Sequence, residues 1–333
     1  MSRTVLASLG LGLALAWVGS VPPATASPEP IHVRTRTIER FDAGGDRFGR
    51  LEFRGGLVLT GPRGFGAISG LLTDGERFLA VSDTGDWLKG RMRLEGGRLK
   101  GLEDLVSARR LDRLGRPITN KRQGDAEGLT AVAGAILVMV ESLRILLAYP
   151  ADGLDVDFAA TPREVAIPPA MATASRRQGV EGLATLPSGQ VVAFVEGRIN
   201  TGDQIPAWRL GGDTFTVVRN GPWSITGADT LPGGDVVIVE RRYEGGLDVG
   251  VRVRRLGADA LARGAGPFDG PVLLEAGFSA EIDNMEAIAT DIVDGEIILT
   301  LMSDDNRSFW QRTLMLRFAV ADPLPRRKPL PKG

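Results

Sequence analysis

Residues 127–141 read EGLTAVAGAILVMVE, and the reading of this stretch decides the fold. An acid-Gly-apolar triplet, Glu127-Gly128-Leu129, leads into a turn, an apolar run and a second acid, Glu141. The unit returns as EGLATLPSGQVVAFVE from Glu181 to Glu196 and, more loosely, from Glu286-Ala287-Ile288 to Asp304. Degenerate copies run from Ser69-Gly70-Leu71 to Asp83 and from Thr226-Gly227-Ala228 to the neighbourhood of Glu240. The later copies start 181−127=54, 226−181=45 and 286−226=60 positions apart. Propeller blades run about 40–50 residues, so the spacing fits blades with loop insertions. The chain is predicted to be all-β and to close as a single β-propeller, with six blades expected within a range of five to seven.

Two apolar runs joined by a short turn make an antiparallel hairpin. The start of its first strand and the end of its second then share one edge of the sheet. Each copy therefore delivers its two acids to one face, and a radial array brings them together at one mouth of the central channel. Turn signals separate the strands at Asp74-Gly75, Pro187-Ser188-Gly189, Pro232-Gly233-Gly234 and Asp294-Gly295, in a chain with 44 glycines. The stretch 31–60 is expected to complete a blade with the strand around Leu314–Phe318, which closes the ring. Ala258–Arg263 reads as a short helical turn, and the Pro-containing stretch 159–177 reads as a long loop.

The flanks read differently. Arg3, the apolar stretch 5–18 and Ala24-Thr25-Ala26 form a secretory signal peptide over residues 1–26. The propeller domain is assigned to 27–322 and a Pro- and basic-rich tail to 323–333. Removing the signal leaves 333−26=307 residues, and the loss of Arg3 takes the net charge from −1 to −2. That balance argues against a nucleic-acid partner. The chain is expected to be periplasmic or secreted and monomeric, with no membrane association after cleavage. There is no cysteine, so no disulfide, thiolate metal site or cysteine nucleophile exists.

The chemistry is bounded by what is missing. The single histidine, His32, lies six residues past the cleavage point, too near a chain end to serve as the oriented base of a triad. No Gly-x-Ser-x-Gly elbow and no P-loop occur, and one histidine cannot supply an imidazole-rich zinc site. Oxygen ligands remain. Asp83, Glu127, Glu181, Asn284, Glu286 and Asp304 form the candidate metal set, and Ca²⁺ is the cation that suits carboxylates and amide oxygens. Segments three and four align without a gap at an offset of 45, which places Thr226 where Glu181 stands and Arg241 where Glu196 stands. Glu127, Glu286 and Arg241 are the candidate catalytic residues. The first two would hold a cation that activates a water, and the arginine would face an anionic substrate. Arg242, Arg177 and Arg307 also lie beside the acidic elements. No organic cofactor is indicated. Other readings weigh against these: strand-end acids often only pair with nearby arginines, and Asp304-Asp305-Asn306 suits an Asx-turn. The repeated glycine suits crowded inner strands. Trp87, Trp208, Trp223 and Trp310 are expected to pack between blades.

Asp125-Ala126-Glu127-Gly128-Leu129, Asn284-Met285-Glu286-Ala287-Ile288, and Ser303-Asp304-Asp305-Asn306 followed by Gln311-Arg312-Thr313-Leu314 resemble the phytase-like family of exported bacterial proteins, described by "esterase-like activity of phytase". The first repeat, with Ser69-Gly70-Leu71 and Ser82-Asp83, also looks like that family's. The resemblance runs from about Arg40 to Phe318. It implies a β-propeller and, by the family's description, a phosphoester or ester hydrolase, but it assigns no catalytic residue. The expected function is hydrolysis of phosphate or related anionic esters by a metal-activated water, on a small anionic substrate. The alternative is a non-catalytic periplasmic propeller that binds a small ligand or a protein.

Overall fold

The computed structural model describes residues 27–197, 202–264 and 266–321. The expected signal peptide, 1–26, and the expected basic tail, 323–333, lie outside the described residues. The rest is a ring of five antiparallel sheets. Blade 1 runs inward to outward through Ile68–Asp74, Arg77–Ser82, Asp86–Glu95 and Arg98–Arg109. Blade 2 runs through Ala126–Val132, Ala135–Val140 and Ile145–Asp152. Blade 3 comprises Val180–Thr185, Val191–Val195, Gln204–Arg209 and Thr214–Val218. Blade 4 comprises Ser224–Thr230, Val236–Tyr243, Val249–Leu256 and Val272–Gly277.

Blade 5 is built from both ends of the chain. The hairpin Asn284–Val293 and Glu296–Asp304 is followed by Thr313–Val320, and the earlier strands Leu51–Thr60 and Arg34–Ile38 complete the sheet. The register sets Leu57 opposite Met315 and Val58 opposite Leu314. This closure was expected, but as a sixth blade. Only one strand follows the Glu286 hairpin, so the N-terminal strands are used up in finishing that blade and the ring stops at five. Phe41 and Phe53 pack on Phe318 at 5.1 and 5.3 Å between ring centroids and cover the seam with apolar area.

The second strand of every inner hairpin was legible from β-branched runs between turn residues, whereas Asp86–Glu95, Arg98–Arg109, Gln204–Arg209 and Val272–Gly277 were not, and the short helix Ala258–Arg263 is present. The stretch 159–177 is not one loop. Arg163–Val165 adds to blade 2, and a helix runs over Pro169–Gln178, started by prolines that fit a first helical turn. No helix among the described residues is long and apolar enough to cross a membrane.

The repeat has a structural cause. All five inner hairpins carry a register shift at the same place, and the residue left without a cross-strand partner is Ser69, Glu127, Glu181, Thr226 or Glu286. A β-bulge bends the strand and re-aims a side chain. Here it does so once per blade, at one end of the channel. The following residue is Gly70, Gly128, Gly182, Gly227 or Ala287. A Cβ on Gly128 would press on Leu183 of the next blade, and one on Gly227 would overlap the carbonyl oxygen of Glu286. The glycines let inner strands approach across blades. We expect Gly227→Ala to cost about 2 kcal/mol in denaturant unfolding, since the obstructing atom is backbone and cannot rotate away. A cost below about 0.5 kcal/mol would remove the crowding argument.

Candidate functional site

The bulge acids and the strand-end acids meet at one end of the channel. Burial holds the Glu127 carboxyl well above the usual range, and the nearby charges of Glu181, Glu286, Asp125 and Glu141 add to the effect. Glu181 is raised well above it too, by burial and then by Glu286, Glu196 and Glu141, with Arg241 opposing. Burial and then Asp304 push Glu286 to about 8, against the pull of Arg241 and the Asn284 amide. Asp304 is pushed to about 6, mainly by burial, with Asp83 and Asp305 adding and the Asn306 N–H opposing. These are mutual effects between blades 1, 2, 3 and 5, as the hairpin geometry requires.

Two cations reach this cluster from different blades. Lys121, on the short helix Lys121–Gly124, donates to Asp83 at 2.5 Å and lies 4.0 Å from Asp125. Asn120 caps that helix by accepting from Gln123 N–H. From blade 4, Arg241 donates to Asn284, to Glu286 at 3.1 Å and to Glu196 at 3.3 Å. The Asn284 amide donates to Glu286 at 2.6 Å, so its oxygen faces Arg241. Arg241 thus does what the alignment suggested, placing positive charge where another blade has an acid. Its first partners are the protein's own carboxylates.

Between these cations lies a region with few donors. Among the described residues, Glu127 and Glu181 accept no hydrogen bond, and the buried Asp83 Oδ1 and Ser69 Oγ also lack a partner. Single oxygens of Asp125, Glu127 and Glu141 lie within 4.8 Å of one another. Gly179, at φ 69°, keeps its backbone beside the carboxylates of Glu181 and Glu141, where any side chain would collide with both. A hard cation fits such a set, since it needs several oxygens within coordination reach and neutralises like charges that repel.

All six proposed ligands are at this end, but they fall into groups. Glu127 and Glu181 face the donor-poor region, as does Asp83 through Oδ1. Glu286 and Asn284 are tied to Arg241. Asp304 Oδ1 accepts from Asn306 N–H at 2.6 Å and Asp305 Oδ1 from Arg307 N–H at 3.0 Å, with both acceptors' partners at positive φ, so the cluster is also the Asx-turn weighed against a ligand role. The sequence reading missed Asp125 and Lys121 as members of the site and did not give Glu141 a ligand role. Asp125 precedes the triplet by two residues, a spacing visible in the sequence, whereas Lys121 gave no signal. Arg242 pairs with Asp248 and stacks over Trp223, and Arg307 donates to the Gly64 carbonyl. The side chain of Arg177 lies outside the described residues.

A cleft of about 960 Å³ opens beside the cluster and shares Glu196, Arg241 and Asn284 with it. Trp87, Trp208 and Trp223 are buried as expected, but Trp310 is 86% exposed at the cleft's rim. It sits in the loop between the last two strands of blade 5, beyond the reach of a neighbouring blade.

Comparison with solved structures gives similar chains at low identity. The PQQ-bound aldose sugar dehydrogenase of Streptomyces coelicolor is 12% identical, with a TM-score of 0.42, 88% of this chain and 100% of that one being covered. An endo-arabinase of Bacteroides thetaiotaomicron is 11% identical, with a TM-score of 0.42 over 75% of this chain and 92% of that one. A protein of unknown function from Dyadobacter fermentans is 12% identical, with a TM-score of 0.39 over 86% and 99%. None of these likenesses bears on what this chain binds or does. No curated protein matches the chain. A family model does match, across residues 63–307, which hold all five inner hairpins with their acids. The chain belongs to the phytase-like family, described as "Esterase-like activity of phytase".

Proposed function

We propose that the chain is a monomeric, exported hydrolase of small phosphate or related anionic esters, working in the periplasm or outside the cell with a divalent cation, calcium before others. Residues 27–322 act as its single propeller domain, between a cleaved signal peptide and a basic tail. The observation that carries the reading is the pair Glu127 and Glu181, inward-bulged carboxylates that accept no hydrogen bond among the described residues. Unneutralised acids so close together cost stability, and active sites are where such cost is tolerated.

Glu127, Glu181, Asp125, Glu141 and Asp83 would hold the cation. When bound, it would supply Lewis-acid polarisation of the ester and make a nearby water more acidic. Lys121 pairs with Asp83 and lies 4.0 Å from Asp125. Arg241 holds Glu196 and Glu286 in place and presents its guanidinium to the cleft, where an ester's anionic group would dock.

The test uses the mature protein treated with chelator, then repleted with calcium, against a panel of phosphate monoesters and carboxylic esters. Turnover should fall at least ~100-fold in chelator and return with calcium. Full activity in excess chelator would overturn the metal assignment. Calcium binding without turnover of any ester would favour the non-catalytic binding propeller.

A further inference from the structure

The cleft beside Arg241 says which anionic ester fits, and this step rests on the hydrolase reading above. Trp310 is 86% exposed, Tyr243 63% and Phe278 60%, and all three line the cleft. Tyr243 ends the strand Val236–Tyr243, and Phe278 and Trp310 lie in two loops, all at the end of the ring that carries the carboxylates. Large aromatic side chains are seldom left this exposed, and a group of them around a concave site marks a binding surface. The volume, about 960 Å³, lies within the range of small-molecule sites.

The charges argue for one anionic group rather than several. Arg242 pairs with Asp248 at 3.0 Å, and Arg312 pairs with Glu281 at 2.6 Å and lies 3.6 Å from Asp283. Those cations are already compensated and leave the outer walls near neutral. Arg241 is itself paired with Glu196 and Glu286, but it is the one arginine of the cleft that also borders the carboxylate cluster, where a bound cation would offset those acids. A ligand with many phosphates would set most of its charge against walls that offer no spare cation. A single phosphate at Arg241, carrying a flat apolar ring outward between Trp310, Tyr243 and Phe278, matches both the charge and the surface.

We infer that the cleft is a subsite for the ring of an aryl phosphate monoester or a similarly planar, singly phosphorylated ester, stacked chiefly on Trp310. Hydrolysis would break the phosphorus–oxygen bond, with water adding its oxygen to phosphorus and its proton going to the released ring alcohol.

The experiment compares phenyl phosphate, methyl phosphate and inorganic triphosphate on the calcium-loaded protein, by kcat/KM and by quenching of tryptophan fluorescence. Phenyl phosphate should bind at least about tenfold more tightly than methyl phosphate and quench the emission. Trp310→Ala should raise KM for phenyl phosphate about tenfold, leave kcat within about twofold and leave methyl phosphate unaffected, and Trp310→Phe should restore most of the loss. Equal effects on both esters, or tighter binding of triphosphate than of phenyl phosphate, would overturn the assignment. If no ester is turned over, hydrolysis fails as the function, and the fluorescence titration decides the subsite on its own: selective quenching by phenyl phosphate sustains it, and no quenching, or docking only of a protein partner, sinks it.

Discussion

Freed of divalent cations, the protein should be most stable near pH 5 and lose on the order of 3 kcal/mol by about pH 8. The sign follows from the raised carboxyls. In the unfolded chain they release their protons near pH 4 to 4.5, but in the fold Glu286 holds its proton to about 8 and Asp304 to about 6, with Glu127 and Glu181 also raised. Between those limits the native state binds more protons than the unfolded one. Their stabilising effect is complete below the unfolded values and disappears as pH rises through the folded ones. Asp229, half-buried on blade 4 and pushed to about 6 by desolvation of its carboxyl, acts in the same direction away from the site. The loss corresponds to a fall in Tm of roughly 5–10 °C. Calcium at about a hundred times its Kd should restore about 2.7 kcal/mol at pH 8 and less at pH 5, where protons compete for the carboxylates. Thermal melts over that range, with and without calcium, check it. A metal-free Tm that rises from pH 5 to 8 would contradict the burial of these acids, and a calcium effect no larger at pH 8 than at pH 5 would detach the cation from them.

Glu127→Gln and Glu181→Gln should make the metal-free protein more stable and, on the proposed hydrolase function, nearly abolish turnover. Each removes a charge from a crowded, half-buried set while keeping the side chain's volume. The expected gain is about 1 kcal/mol at pH 8 in chelator. Each also deletes a ligand oxygen's charge, so the calcium-dependent rise in Tm should shrink by more than half and turnover should fall at least ~100-fold. Asp229→Asn serves as control, since Asp229 accepts from Thr290 N–H at 2.6 Å outside the cluster. It should leave turnover and calcium response unchanged. Variants of Glu127 and Glu181 that lose stability in chelator, or that keep their calcium response, would place the cation elsewhere.

How far the sequence went differs from element to element. Short β-branched apolar runs and Gly-containing turns are local signals, so the hairpins and the shared face of their acids could be read directly. The closure of the last blade by residues 51–60 could be read as well, because an open edge had to be covered. The number of blades could not. It depends on whether the N-terminal strands finish the Glu286 hairpin or begin a sheet of their own, and both arrangements use the same strand pattern. The bulges left only their glycines as a trace, since the residue ejected from the ladder is chosen by register, not by composition. Lys121 was out of reach, because its contact with Asp83 is made across two blades by a helix of one turn. Trp310 was misjudged for a related reason: nothing in an indole's neighbours along the chain tells a seam between blades from the rim of a cleft.

The two-ended blade also dictates the order in which the ring is made. Leu51 meets Val320 across 320−51=269 positions, so this strand pairing carries the largest loop-closure cost among the described strand pairs and is expected among the last contacts formed during folding. Until it forms, Thr313–Val320 stands as an unpaired edge beside the apolar faces of Phe318 and Leu316. Such an edge is a template for pairing with a second molecule. The vulnerable species is therefore a nearly complete ring, and its yield on refolding should depend on protein concentration far more than the stability of the closed ring does.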